Sequence, residues 1–221
     1  MKVIIFGATG MVGQCVLVEC LKSPAITKIL VVGRRTCGVK NIKTREILHN
    51  NFLDYSAIEN ELIGYNACFY CLGVSSVGLS NKKYYDITYN YTVAIAEILT
   101  KQNPNINFAF ISGAGTDETE KCRINWANIK GKAENMLRKY PFKSLSLFRP
   151  AYIKALEGVE PSYSLNKYFD WFFYPFLKTF FPKAVITSKE LGMAMINSMY
   201  QKEEVKIIEN VDIKKLAYLN L

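Results

Sequence analysis

The sequence has one histidine, His49, in 221 residues, and no set of cysteines or acids stands near it at metal-ligand spacing. No metal site is expected, and His49 is expected in a surface loop. No apolar run is long enough to span a bilayer, which excludes a transmembrane helix. Internal repeats and low-complexity stretches are missing too. No secretory segment precedes Lys2, and the six cysteines fall at irregular spacings, so free thiols and a cytoplasmic location are expected. Clustered charge is absent as well. Lysine and arginine outnumber the acids 28 to 19, for a net charge of +9, but the basic residues are scattered and the pairs Lys82-Lys83 and Lys214-Lys215 are short. That pattern disfavours a nucleic-acid partner and suits a basic protein that binds an anionic cofactor.

Half of the residues are apolar, enough for one sizeable core, so residues 1–221 are expected to form a single domain. Lys2-Val3-Ile4-Ile5-Phe6 is a β-branched run ending in glycine. Val12, Val16 and Cys20 then recur at helical spacing up to Pro24. Further strands are expected at Ile29–Val32, Thr44–Leu48, Asn66–Cys71, Phe108–Ile111, Ser144–Phe148 and Val205–Ile208. Helical patterns run over Asn81–Gln102, Ile124–Tyr140 and Val211–Leu219. Another helix opens at Thr187-Ser188-Lys189-Glu190, which has capping-box form. The alternation predicts an α/β fold, a Rossmann-type doubly wound parallel sheet with helices on both faces. Residues 151–185 break the pattern. Aromatics crowd from Tyr163 to Pro182, and a small C-terminal segment covering a substrate pocket is expected there, packed and partly lining it. Peripheral contact with a membrane is the alternative for this stretch.

The chemistry begins at Gly7-Ala8-Thr9-Gly10-Met11-Val12-Gly13, a loop between an apolar strand and a helix. Gly7 permits the tight turn, Gly10 lets backbone approach a phosphate, and Gly13 lets the helix pack on the strand. Free amides at the helix start then face a pyrophosphate. At the end of the second strand, where a dinucleotide site selective for NAD carries an acid, this chain has Arg34 and Arg35. Two guanidiniums suit a 2′-phosphate, so NADP(H) is the preferred cofactor and NAD(H) the alternative.

With Val32-Gly33-Arg34-Arg35, Cys71-Leu72-Gly73, Ile111-Ser112-Gly113-Ala114-Gly115, Lys130-Gly131-Lys132-Ala133-Glu134 and Phe148-Arg149-Pro150, the glycine loop completes an ordered set of motifs. The chain resembles the short-chain dehydrogenase/reductase superfamily in its atypical, NAD(P)-binding branch, and is similar to the Tat-interacting-protein-like oxidoreductases. The resemblance implies that residues 51–54 lie near the adenine, that Cys71, Leu72, Gly73 and Val74 pass over the ribose, and that the segment after Pro150 walls the substrate pocket. It implies catalytic roles for Ser112 and Lys130, with Lys130 also holding the nicotinamide ribose. The tyrosine that such enzymes place four residues before the lysine is here Trp126, and the asparagine position falls at Thr88. An indole N–H donates a hydrogen bond but is no general acid near neutral pH, so Trp126 is read as a packing residue.

Two other patterns are set aside. Cys68 and Cys71 have redox-motif spacing, but on a strand their sulfurs point to opposite faces. Asp117, Glu118 and Glu120 precede a helix start, where acids favour the dipole without a metal. The sequence thus points to an NADP(H)-dependent oxidoreductase acting on a small apolar carbonyl or ring compound, its proton coming from water, Tyr152 or Tyr163. The rival is a non-catalytic NADP(H)-binding regulator that reports redox state to a partner protein. Substrate identity and oligomeric state are not legible.

Overall fold

The computed structural model describes residues 1–155, 174–201 and 204–219. Seven strands form one sheet: β1 (Lys2–Phe6), β2 (Lys28–Gly33), β3 (Thr44–Leu48), β4 (Ala67–Tyr70), β5 (Asn107–Ile111), β6 (Ser144–Arg149) and β9 (Val205–Glu209). Their order is β3-β2-β1-β4-β5-β6-β9, and every pair is parallel. In β1 the alternation of a strand sends Val3 and Ile5 into one apolar cluster and Ile4 and Phe6 into the other. All four are fully buried. A central strand covered on both faces is what a doubly wound sheet requires.

Helices α1 (Met11–Lys22), α6 (Ser188–Ser198) and α7 (Asn210–Ala217) cover the first face. There Gly192 brings α6 against α1 so closely that a Cβ would lie 2.8 Å from the Cys15 carbonyl oxygen. Helices α3 (Tyr91–Gln102) and α4 (Asn125–Leu137) cover the second face. The capping box at Thr187 forms, with the Glu190 amide donating to Thr187 Oγ1 at 3.1 Å and the Thr187 amide to Glu190 Oε2 at 2.7 Å. Cys68 and Cys71 pack in opposite clusters, as the strand period demands.

The structure corrects several expectations. The run over Asn81–Gln102 is not one regular helix: α2 (Asn81–Tyr85) passes into a π turn at Asp86–Asn90 before α3 begins. His49 is not a surface residue. Its ring is 8% exposed, stacks on Tyr55 at 5.2 Å and bonds through Nε2 to the carbonyls of Asn51 and Asp54. Its burial fixes the loop after β3.

In the aromatic segment, residues 156–173, Tyr163 among them, lie outside the described residues. The described residues 174–180 are helical, in α5. A two-stranded parallel pair, β7 (Tyr152–Lys154) with β8 (Val185–Thr187), flanks it in sequence. Phe176, Phe180 and Phe181 are 52%, 65% and 55% exposed, so the expected packing of the aromatics does not hold for these three.

Candidate active site

In a sheet of this order, successive connections run to opposite sides on leaving β1 and β4, and a crevice opens beyond the strands' C-terminal ends. The glycine loop lines it. Gly7 adopts φ +77°, and a Cβ there would sit 2.7 Å from the Cys71 carbonyl group. A Cβ on Gly13 would come within 2.1 Å of the Gly7 carbonyl oxygen, which is why the first turn of α1 can lie on the loop. Gly10 differs. Its Cβ would meet only the Gly7 oxygen at 3.4 Å, so the space beyond it is open. Gly10 is the N-cap of α1 and caps nothing with a side chain, so the amides of Met11, Val12 and Gly13 have no carbonyl one turn earlier to bond. A diphosphate fits this cradle.

Two cavities share the rim formed by Thr9, Gly10, Cys71, Leu72 and Gly73. The smaller, about 220 Å³, is walled by Gly7, Val31, Arg34, Arg35 and the buried Phe52. Both arginine side chains are exposed and free to swing onto a ligand. The larger, about 870 Å³, extends past Met11 and Val12 to Ser112, Trp126 and Lys130. The cleft thus brings together Thr9, Gly10, Arg34, Arg35, Leu72, Ser112, Trp126 and Lys130, but not Gly13, whose part is helix packing, nor Thr88, nor Tyr152, the expected proton source. The described residues of 151–185 line neither cavity.

At the far end, Lys130 is half-buried on α4. Its ammonium donates to the Ile111 carbonyl oxygen at 2.7 Å and lies 4.8 Å from the centre of the Phe110 ring. Burial pulls its pKa down from 10.5 to about 8, against a smaller upward pull from Glu134. The Ser112 and Thr116 hydroxyls lie 2.8 Å apart, and Thr116 donates onward to the Gly113 carbonyl. Thr116 has one proton, already given to Gly113, so Ser112 is the donor of the shared bond and turns its lone pairs to other partners. The Trp126 indole borders the cleft within 4 Å of where a Cβ on Gly113 or Gly115 would stand. It is a wall of the site as well as a packing residue.

Sequence reasoning missed three parts of this arrangement. Tyr84 is 4% exposed and lines the larger cavity, with burial pushing its phenol above the ordinary value. Its position one helical turn before Thr88 was the available signal. Gly131 lets the loop after β5 lie on α4, where a Cβ would meet the Asp117 carbonyl oxygen at 1.8 Å. Behind Lys130, Glu134 is fully buried and takes two hydrogen bonds from Arg149, one of them at 3.0 Å. Arg149 also reaches Glu118 at 3.3 Å and Glu209 at 3.4 Å. The acids after Ser112 are therefore structural: Asp117 accepts from the amides of Thr119, Lys121 and Cys122, Glu118 pairs with Arg138 and Arg149, and Glu120 accepts from Asn135. No metal-holding group occurs among the described residues.

The family model described as NAD dependent epimerase/dehydratase family matches residues 3–122, more than half of the chain. The chain belongs to that family. A curated relative of this epimerase/dehydratase family member, protein HTATIP2 of Rattus norvegicus, is 27% identical over 153 residues, which cover 67% of this chain and 61% of that protein. The match thus spans less than two thirds of the relative's length. Among solved structures, MoeE5 in complex with UDP-glucuronic acid and NAD superposes with a TM-score of 0.71 at 14% identity, over 95% of this chain and 76% of that one. A short chain dehydrogenase family protein from Francisella tularensis subsp. tularensis SCHU S4 superposes with a TM-score of 0.67 at 12% identity, over 96% and 98%. At such identities the likeness is one of fold. Family and cradle together make this a nicotinamide-dinucleotide-binding Rossmann fold.

Proposed function

We propose that this family member is a cytoplasmic NADP(H)-dependent oxidoreductase acting on a small apolar carbonyl or ring compound. The observation that carries the reading is the continuity of the cleft from Arg34 and Arg35, through the glycine cradle, to Ser112 and Lys130. Arg34 and Arg35 would pair with a 2′-phosphate, and Thr9, Gly10, Met11 and Val12 would hold the diphosphate. Cys71, Leu72 and Gly73 would border the nucleotide ribose, and Lys130 its nicotinamide counterpart. The bound cofactor supplies hydride. Ser112 turns an acceptor toward the substrate, or rotates away from Thr116 to donate. Leu72, Val74, Val77, Leu79, Ile111 and Trp126 give the larger cavity apolar stretches of wall among polar ones, which suit a ligand with an apolar body and a polar group.

The test is fluorescence titration with NADPH and NADH, followed by NADPH oxidation across a panel of aldehydes, ketones and quinones. Preferential NADPH binding with turnover on at least one compound supports the reading. Equal affinity for the two cofactors, unchanged when Arg34 and Arg35 become alanine, removes the NADP(H) assignment. A second reading, a non-catalytic NADP(H)-binding regulator, is favoured by the indole of Trp126 standing where such a site keeps a phenol. Tight NADPH binding without turnover on any compound would select it.

A further inference from the structure

We infer that Lys130 is itself the proton donor of this cleft, its ammonium protonating the substrate oxygen in the place of a phenol. The inference deepens the oxidoreductase reading and rests on it. Among the described residues lining the larger cavity, the ionisable groups are Cys71, Tyr84 and Lys130. Burial disfavours charge in all three, with opposite consequences. The Cys71 thiol and the Tyr84 phenol, neutral when protonated, are pushed up and hold their protons more tightly. The Lys130 ammonium is pushed down to about 8 and releases its proton more readily. A general acid works best when its pKa lies near the working pH. Of the three, only Lys130 meets that condition.

Geometry leads to the same residue. An ammonium has three N–H donors, and the Ile111 carbonyl takes one of them at 2.7 Å, which leaves donors for a ligand. Trp126, one turn earlier on α4, offers an indole N–H that is no acid at this pH, and the Ser112 hydroxyl, 2.8 Å from that of Thr116, can donate a hydrogen bond but is no general acid near neutral pH. Among the described residues, Lys130 meets the Phe110 ring and Ile111 carbonyl from β5 and Glu134 one turn further along α4, and Tyr84 and Cys71 line the same cavity. Of these only Glu134 is charged, and Arg149 holds its carboxylate.

When bound, the reduced cofactor would supply hydride to the carbonyl carbon, and Lys130 would supply the proton to the oxygen that takes up the π pair. An N–H bond of Lys130 breaks as the O–H bond forms. The substrate would become an alcohol, and the neutral Lys130 amine would regain its proton from water.

Two measurements test this. In the cofactor-free protein, NMR of ¹³C-labelled lysine, with Lys130→Arg and Lys130→Gln identifying the resonance, should show Lys130 titrating near 8. In turnover, the rate of reduction should fall as pH rises through that value. Arginine keeps the charge but not a releasable proton, so Lys130→Arg, measured at saturating NADPH, should lose roughly a hundredfold or more of kcat. If arginine does not fit, Lys130→Gln, which has no ammonium proton to give, should show the same loss of kcat at saturating NADPH. Titration at an ordinary lysine value, or turnover within about threefold in Lys130→Arg, overturns the inference and leaves the oxidoreductase reading standing. Absence of NADPH oxidation by the unaltered protein across the panel overturns that reading and this inference together.

Discussion

The two ends of the cleft are built by different means. The phosphate end is made of backbone: three glycines, a helix start without a side-chain cap, and amides directed at the space beside Gly10. The reactive end is made of side chains on α4 and after β5, held from behind by the ions around Arg149. A backbone cradle tolerates few substitutions, because each glycine is packed against another chain segment or faces the ligand. A side-chain site tolerates more. Trp126 can stand where a phenol is expected without disturbing α4, and the chemistry then shifts to whichever neighbour can move a proton.

The largest effect is expected behind the reactive end. Arg149→Met leaves Glu134 charged and buried without its partner, and such a break costs roughly 3–5 kcal/mol of stability. Urea unfolding would measure it. The double variant Glu134→Leu with Arg149→Met should recover most of the loss, since an apolar pair of similar volume replaces the ion pair. A loss below about 1 kcal/mol in Arg149→Met would show that α4 does not depend on this contact.

At the phosphate end, Gly10→Val should weaken NADPH binding by roughly a hundredfold or more while the melting temperature stays within a few degrees. The valine would occupy the open space a diphosphate needs, yet it meets little protein. Gly13→Ala should do the reverse, lowering stability first, because its methyl would strike the Gly7 carbonyl oxygen. Equal melting temperatures for the two variants would erase the distinction between a glycine that faces ligand and one that faces backbone.

Smaller effects are expected from the arginines. Arg34→Ala and Arg35→Ala should each weaken NADPH by about tenfold and leave NADH nearly unchanged, since exposed charge-assisted bonds contribute on the order of 1–2 kcal/mol. Titration at two salt concentrations would sharpen this, because screening diminishes an exposed ionic contribution more than a cradle of amides. The smallest change is expected from Trp126→Tyr, which places a phenol one turn before Lys130. With Lys130 already donating, turnover should rise only severalfold, by roughly threefold to tenfold, well under the full range of general acid catalysis. A gain approaching a thousandfold would show that the unaltered site lacks an effective donor.

The phosphate end was readable because it is local. Gly7, Gly10 and Gly13 lie within one loop, and their roles follow from a strand before and a helix after. The buried strands were readable for a similar reason: runs such as Val3-Ile4-Ile5-Phe6 admit little but a covered parallel strand. The reactive end was only half legible. Motif spacing singled out Ser112 and Lys130, but not the bond that turns the Ser112 proton to Thr116, since that depends on how the loop after β5 folds over Gly131. His49 was misjudged because its partners are two carbonyls and an aromatic ring supplied by a loop whose path no local pattern specifies. The π turn at Asp86–Asn90 escaped because one extra residue in a turn leaves the apolar periodicity of the surrounding helix almost intact.

The sequence by itself determined the layered architecture, the glycine loop between β1 and α1 and the positive charge beside it at Arg34 and Arg35, since each depends on residue type at short spacing. The tertiary structure decided how the ions behind α4 pair, how deeply Tyr84 and Lys130 are buried, and in which direction burial moves their protons. Those properties belong to contacts between residues far apart in the chain, such as Arg149 with Glu209, and desolvation depends on everything packed around a group and not on the group's own neighbours in sequence.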